Sequence, residues 1–222
     1  LKAIGKMRLV TLSPYMVGTP PKTLTPTLFV ENSPKLLYTA QAIQKVLESD
    51  PSTSQLVYMP QGKEFIPLFR EYLTTVCGIA RSKVAEITSG TSDKRMVSLV
   101  DKFNAGDVKV LIGTSKISEG VNLNKNTSVL YNLYLGWNPT EQMQVEGRIW
   151  RQGNRYKDIR VIYPILRNSV DSVMFQKLEE KTSRLNVVWH SKKDYISTQD
   201  INPEELKLGI ITDPRRRADR YV

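Results

Sequence analysis

Two arginines, Arg148 and Arg151, are the side chains of this sequence best suited to chemistry. They lie in the run Gln144–Gly153 (QVEGRIWRQG). On a helix, at about 100° per residue, Gln144, Arg148 and Arg151 share an arc of about 60°. Two guanidinium groups on one face repel each other unless an anion lies between them. A polyphosphate suits them because each planar guanidinium group can donate paired hydrogen bonds to phosphate oxygens. A basic helix face turned to water or to acidic neighbours is the alternative interpretation.

The side of this predicted helix opposite the arginines indicates how the helix packs in the fold. This face is apolar, and we expect it to pack against a sheet. The residues of this face are Met143, Val145, Ile149 and Trp150. Gly147 lies beside the polar arc, where glycine costs a helix about 1 kcal/mol relative to alanine. We therefore predict a close approach of a ligand or of backbone at Gly147. Trp137 and Trp150 are candidates for stacking on bases, although the apolar face predicts a core position for Trp150.

A second group of polar residues, within Gly113–Leu123 (GTSKISEGVNL), follows a predicted buried strand. In open α/β sheets, ligands bind beyond the carboxyl ends of the strands. Thr114 and Ser115 offer hydroxyl and amide groups to the phosphates of a nucleic-acid backbone. Gly120 permits an unusual turn, and Asn122 is suited to bonding a ribose hydroxyl. A plain connection between a strand and a helix is the alternative.

The composition argues against several kinds of self-contained active site. The 222 residues include one His (His190) and one Cys (Cys77), whereas a zinc site needs about three or four such ligands. We therefore expect no metal site. Cys77 cannot close an internal disulfide and no secretory signal is visible, so we expect an intracellular protein. It would be cytoplasmic and nucleoid-associated in a bacterium, or nuclear in a eukaryote. The first residue is Leu1 rather than Met, which predicts a fragment or a processed product.

The charge of the chain favours a polyanionic partner. There are 32 Lys and Arg residues against 22 Asp and Glu, a formal charge of +10, and such an excess favours nucleic acid as the partner. A basic surface that is merely solvated is the alternative. No apolar run approaches the ~18 residues that a membrane helix needs, so no membrane partner is expected.

The remaining residues predict the elements that position these side chains. Short apolar strands alternate with amphipathic helices, the pattern of a parallel sheet covered by helices on both faces. Strands are predicted over 56–59, 84–87, 108–112, 129–135 and 159–165. Helices are predicted over 34–48, 65–76, about 96–106, from 139 onward and over 170–187. Asn138, Pro139 and Glu141 provide an N-cap, a first-turn proline and an acidic residue three positions after the cap.

Three segments are predicted in the domain organisation. Residues 1–33 contain several prolines between short apolar pieces, so we expect an irregular linker or lead-in with at most one strand. Residues 34–190 carry the α/β pattern. Residues 191–222 are polar and end in the basic run Arg215–Arg217. We expect a C-terminal helical or basic extension there: a further helix over Glu204–Leu208, or a mobile basic arm whose arginines either bind phosphates or are merely solvated.

The order of these segments resembles the second RecA-like domain of superfamily two helicases. The segments resembling helicase motifs four, five and six are Leu56–Met59, Ser89–Thr91 followed by Lys94-Arg95 and Phe103-Asn104, then Thr114–Leu123 and Gln144–Gly153. The stretch from Trp137-Asn138-Pro139 to Arg151-Gln152-Gly153 is especially similar to Swi/Snf-type double-stranded DNA translocases. The resemblance covers roughly residues 34–185.

The resemblance implies a RecA-like α/β fold and one half of an ATP-driven machine. In such proteins, this domain closes over ATP and Mg²⁺ held mainly by an N-terminal RecA-like lobe. Arg151 would be the main arginine finger, Arg148 a second phosphate contact, and Gln144 a residue that positions the site. The residues implied near the nucleotide are Glu119, Gly120, Asn122 and Gly147. The residues implied to contact nucleic acid are Ser89, Gly90, Thr114, Ser115 and Lys116.

The sequence lacks the parts of such a machine that bind the nucleotide. It contains no G-x-x-x-x-G-K-[ST] phosphate-binding loop and no acidic box in the context of a strand. We therefore expect an isolated chain that is monomeric and does not hydrolyse ATP, with DNA as the substrate of the intact protein and RNA left open. One alternative is a RecA-like platform that binds nucleic acid or protein without ATPase activity. Another is the nucleotide-binding lobe of a two-domain glycosyltransferase, which would have no affinity for DNA.

Overall fold

Parallel strands form the centre of the molecule. The computed structural model describes residues 2–118 and 120–190, and within them five strands pair in parallel. The strands are β1 (Ser54–Tyr58), β2 (Val84–Ile87), β3 (Val110–Gly113), β4 (Thr127–Asn132) and β5 (Arg160–Ile162). Their order in the sheet is β2-β3-β1-β4-β5. Because all the strands run the same way, their carboxyl ends meet at one edge of the sheet, and the connections that leave them lie side by side there.

Helices cover both faces of this sheet. The α-helices are α1 (Lys2–Leu12), α2 (Pro26–Glu31), α3 (Pro34–Ser49), α4 (Ile66–Thr75), α5 (Asp93–Ala105), α6 (Pro139–Ile149) and α7 (Val170–His190). One face of the sheet packs against α2, α3 and α4, and the other against α5 and α6. Strands β1, β3 and β4 are buried along their whole length. The predicted α/β fold, a parallel sheet with helices on both faces, is confirmed.

The predicted elements are found with small changes at their ends. Helix α3 begins at Pro34 as predicted, and α5 is followed by Gly106, whose φ of +82° lies in the left-handed region. The strand predicted over 129–135 lies at 127–132. The strand predicted over 159–165 is too long, since β5 covers only Arg160–Ile162. Pro164 follows soon after β5, and a proline has no N–H group to donate to a ladder.

The prediction of an irregular lead-in over residues 1–33 is wrong for the described part of that segment. Helices α1 and α2 lie there, with a 3₁₀ turn at Pro14–Met16 between them. Pro14 and Pro26 begin helical segments instead of interrupting them, whereas Pro20 and Pro21 lie in irregular chain. The Thr25 hydroxyl accepts a hydrogen bond from the Leu28 amide at 3.2 Å, and Pro26 occupies the first turn. Leu12 and Phe29 are fully buried, so the segment contributes to the core.

A buried ion pair joins the helices on one side of the fold. Lys35 of α3 and Asp171 of α7 lie 2.5 Å apart, with side chains only 4% and 5% exposed. The Thr11 hydroxyl of α1 donates to the second oxygen of Asp171 at 2.9 Å. Burial lowers the pKa of the Lys35 ammonium, although Asp171 opposes that shift. A buried charge needs such a partner, so Asp171 ties α1 and α3 to α7.

No helix among the described residues has the length and apolar character needed to cross a bilayer. The predicted C-terminal extension, 191–222, and Glu119 lie outside the described residues.

Candidate functional site

Helix α6 runs back across the sheet from its carboxyl edge toward its amino edge. It begins after β4, where the Asn138 side chain caps it by accepting a hydrogen bond from the Thr140 amide at 3.0 Å. Beyond its end, the Asn154 amide donates to the carbonyl of Thr127, the first residue of β4, at 3.0 Å. The last turn of α6, with Arg148, therefore lies near the amino end of β4.

Two tyrosine hydroxyl groups donate hydrogen bonds to the two glutamates of α6. The Tyr58 hydroxyl, at the end of β1, donates to Glu141 at 2.8 Å, and the Tyr163 hydroxyl donates to Glu146. Burial raises the pKa of both phenols. Each hydroxyl therefore remains a proton donor at neutral pH, and the two contacts fix α6 at its first turn and near its middle.

The apolar face of α6 is buried only in part. Val145 and Ile149 are fully buried in the core, as predicted. The prediction of a core position for Trp150 is wrong, since its side chain is 79% exposed. The helix ends at Ile149, and Trp150 adopts non-helical angles (φ −89°, ψ 79°), so the 100° period no longer applies to it. Met143 is also exposed and lines a groove between α6 and α7.

Both arginines contact the connection that leaves β3. Arg148 donates from Nε to the Ser118 carbonyl at 2.9 Å. Arg151 donates from Nε to the Gly147 carbonyl at 2.8 Å and from Nη1 to the Asn122 side chain. The structure therefore brings Arg148, Arg151, Gly147 and Asn122 together. These contacts use two of the five N–H donors of Arg151, whose side chain is exposed.

The other residues implied near a nucleotide surround this cluster. Gly120 is exposed and has a φ of +70°, the left-handed conformation that a special turn requires. A Cβ atom at Gly147 would meet nothing within 4 Å among the described residues. No described backbone therefore explains that glycine, and the approach of a ligand stays a prediction. Gln144 is exposed on the same helix.

Asn104, at the end of α5, belongs to the segments that resemble helicase motifs, but the sequence assigned it no individual role. Its amide donates to the Asn122 carbonyl at 2.8 Å, and its side-chain oxygen accepts from the Lys125 amide at 3.2 Å. It thus fixes the backbone that presents the Asn122 side chain to Arg151. An asparagine two residues before Gly106, the glycine that ends α5, was the available signal, because such positions often bond neighbouring backbone groups.

A cleft of about 300 Å³ lies at the carboxyl edge of the sheet. It is lined by the connections after β1, β2 and β3, including Lys63, Ser89, Thr114 and Ser115. Three of the residues implied to contact nucleic acid are therefore brought together. Gly90 is exposed next to Ser89. The fifth, Lys116, points elsewhere: its ammonium donates to the Thr91 carbonyl at 2.6 Å and pairs with Asp93 at 3.2 Å.

Thr114 contributes an unpaired hydroxyl group to the wall of this cleft, and Lys63 contributes an exposed ammonium group. Thr114 is only 5% exposed, and its hydroxyl has no hydrogen-bond partner among the described residues. Buried hydroxyl groups are normally satisfied, but the oxygen of this one is itself buried, so a ligand in the cleft reaches it only after a local shift of the wall. Lys63 is exposed, and its ammonium lies 3.3 Å from the Ser89 hydroxyl. Sequence reasoning missed Lys63, although its position just beyond a buried strand was the signal.

The two groups of residues are joined by one connection. The segment Thr114–Leu123 begins in the cleft at the carboxyl end of β3 and ends beside Arg151. Among the described residues, no group of three or more His, Cys, Asp or Glu side chains is arranged to hold a metal ion. Positively charged side chains and hydroxyl groups can therefore contact phosphates at two places, the cleft at the carboxyl edge and the cluster around Arg151.

A family model described as the helicase conserved C-terminal domain matches residues 38–153. The chain belongs to this family. The match includes the segment Thr114–Leu123 and both Arg148 and Arg151. The predicted membership in the superfamily two helicases, as a C-terminal RecA-like domain, is confirmed.

One protein of similar sequence and one solved structure of similar fold can be compared with this helicase C-terminal domain. It is 28% identical over 100 residues to the "Defense against restriction protein B" of Escherichia phage P1, a match that covers 45% of this chain and 4% of that protein. The chain thus spans a small part of that relative's length. Its structure is similar to the C-terminal part of the Fun30 ATPase domain, with a TM-score of 0.60 and 16% identity. That match covers 94% of this chain and 59% of the other, and at this identity it shows the shared fold alone.

Proposed function

We propose that this helicase C-terminal domain is one lobe of an ATP-dependent translocase or helicase that acts on double-stranded DNA. In this proposal, the domain supplies arginine fingers to ATP held by a partner RecA-like lobe, and it contacts the nucleic-acid backbone. The observation that supports it most is the cluster at the end of α6. There, Arg151 is exposed, Arg148 lies one turn away, and Gly147 leaves open space beside them.

The donor set at the end of α6 fits a polyphosphate. Two guanidinium groups lie on one helix end without a carboxylate among their described hydrogen-bond partners. Bound ATP with Mg²⁺ would supply the phosphoanhydride bond that is hydrolysed. Arg151 and Arg148 would neutralise negative charge on the terminal phosphate. Asn122 would hold Arg151 in its orientation, and the absence of a side chain at Gly147 would allow the nucleotide to approach α6 closely.

The cleft at the carboxyl edge fits phosphates of a nucleic-acid backbone. Its hydroxyl groups and the Lys63 ammonium can contact phosphate oxygens without reading the base sequence. The segment Thr114–Leu123 would transmit a change between this cleft and Arg151, because its two ends take part in the two sites. The name of the phage relative, a protein of defence against restriction, is compatible with DNA as the polyanion.

We expect Lys63→Gln to weaken the binding of duplex DNA by removing one phosphate contact. The slope of log affinity against log salt concentration should become less negative by about 0.9. Titrations at several salt concentrations measure both the affinity and the slope. Lys45→Gln, which removes an exposed lysine of α3 outside the residues that line the cleft, is the matched control. An equal effect of both substitutions would indicate a general effect of charge.

The proposed function predicts a difference between the isolated chain and the intact protein. The purified 222-residue chain should not hydrolyse ATP, because it contains no phosphate-binding loop. The intact protein, with its partner lobe, should hydrolyse ATP faster when duplex DNA is added. Single-stranded DNA and RNA are tested in parallel, and the strongest stimulation identifies the substrate. Turnover by the isolated chain, or an intact protein that binds DNA without hydrolysing ATP, would contradict the proposal.

A further inference from the structure

Helix α1 places an arginine against the connection that leads into α6. Arg8 is only 5% exposed, and its Nη2 atom donates to the Leu135 carbonyl. Its guanidinium carbon lies 4.1 Å from the centre of the Tyr134 ring and 5.1 Å from the centre of the Trp137 ring. A planar cation held over two rings and bound to a carbonyl is fixed in orientation as well as in position.

The helix that carries Arg8 is itself anchored. One turn further on, the Thr11 hydroxyl donates to Asp171, which is paired with the buried Lys35. The negative charges of Glu141 and Asp171 stabilise the positive charge of Arg8. Helix α1 cannot shift relative to α3 and α7 without disturbing these buried contacts, so it presents Arg8 from a rigid base.

The segment that Arg8 contacts continues directly into the arginine-bearing helix. Trp137 is followed by Asn138, the cap of α6, and Glu141 in the first turn is bonded to Tyr58. Helix α6 has 11 residues, and its far end carries Arg148. Because a helix of this length is stiff, a displacement of its first turn also moves the arginines at its end.

The same N-terminal segment reaches the cleft at the carboxyl edge. Leu9, the neighbour of Arg8, lines that cleft together with Met16, Ser89 and Thr114. Neighbouring residues of α1 therefore contact the cleft to which the proposed function assigns nucleic acid and the connection that leads into α6. No other described α-helix contributes both to the lining of this cleft and to the contacts around Leu135.

We propose that Arg8 is a positioning residue that couples the nucleic-acid cleft to the arginine-bearing end of α6. The inference rests on the proposed function and adds a residue outside helicase-like motifs four to six. Arg8 contacts no reacting group. It holds residues 134–137, and with them the first turn of α6, in the position at which Arg148 and Arg151 reach the terminal phosphate. A packing role alone would affect stability and leave the turnover of folded protein unchanged.

The test uses Arg8→Lys and Arg8→Gln in the intact protein. Lysine keeps the charge but lacks the planar group that lies over Tyr134 and Trp137. We expect kcat at saturating duplex DNA to fall about tenfold in folded Arg8→Lys, a change of about 1.4 kcal/mol in activation free energy. The KM for ATP and the affinity for DNA should stay within about twofold. Lys6→Gln, at an exposed position of α1, should leave kcat unchanged.

A double-mutant cycle gives a second readout if Arg8→Gln does not fold. Trp137→Leu alone should lower the DNA-stimulated kcat, and the total fall in kcat of the double variant Trp137→Leu/Arg8→Lys should be smaller than the product of the two single-variant factors. Melting and far-UV circular dichroism establish that each variant is folded. A wild-type kcat in folded Arg8→Lys, or effects of the two substitutions that multiply, would overturn the coupling role. If DNA does not stimulate wild-type hydrolysis, the proposed function fails first and the coupling role falls with it.

Discussion

Replacing Arg151 with alanine in the intact protein is expected to lower ATP hydrolysis by about 10³-fold or more, the range in which arginine fingers act. The guanidinium group is exposed and oriented by Asn122 and by the Gly147 carbonyl. Removing it withdraws a fixed positive charge from the terminal phosphate, where negative charge develops during hydrolysis. The fold should survive, because the side chain is exposed and not part of the core. The measurement is kcat for hydrolysis at saturating ATP and DNA.

DNA binding separates this effect from a loss of structure. The Arg151→Ala variant should bind duplex DNA with nearly unchanged affinity, because the candidate DNA contacts lie in the cleft at the carboxyl edge. Arg155→Ala is the matched control. Arg155 is an exposed arginine four residues further along, and its guanidinium lies over the Tyr156 ring at 5.7 Å. Full activity of Arg151→Ala, or an equal loss in Arg155→Ala, would show that Arg151 is not the finger.

Replacing Asp171 with alanine is expected to destabilise the chain by about 3–5 kcal/mol, the cost of breaking a buried ion pair by removing one partner. The Lys35 ammonium would remain buried without its counter-charge. The Thr11 hydroxyl and the Leu166 amide would also lose their acceptor. Denaturant unfolding of the purified chain, followed by circular dichroism, measures the change in the free energy of unfolding.

An exposed ion pair provides the comparison for this prediction. Asp93 pairs with Lys116 at 3.2 Å, but the Asp93 side chain is 89% exposed. Asp93→Ala should therefore cost less than about 1 kcal/mol. Replacing both buried partners, as in Lys35→Met with Asp171→Leu, should recover much of the stability lost in Asp171→Ala. If Asp171→Ala costs no more than Asp93→Ala, the buried pair does not hold α1, α3 and α7 together.

Local patterns in the sequence predicted most of the fold. The alternation of short apolar runs with helical periods yielded the strands and the helices from α3 onward, because burial of one face imposes a period on neighbouring residues. The same reasoning found the polar arc of α6, although Arg151 itself lies just beyond the helix and is held in place by Asn122. It failed at Trp150, where the helix ends and the period stops. It also failed in residues 2–33, where prolines begin helical segments.

What the sequence determined by itself is therefore the parallel α/β architecture and the position of Arg148 in the last turn of α6, with Arg151 just beyond its end. The tertiary structure alone decided which distant residues meet. Arg8 bonds to a carbonyl 127 residues away and Thr11 to a carboxylate 160 residues away. The physical reason is that periodicity records whether a residue is buried but not what it is buried against. The partners of Arg8 and Lys35 follow from the order of the strands and the packing of the helices, which bring distant segments of the chain together.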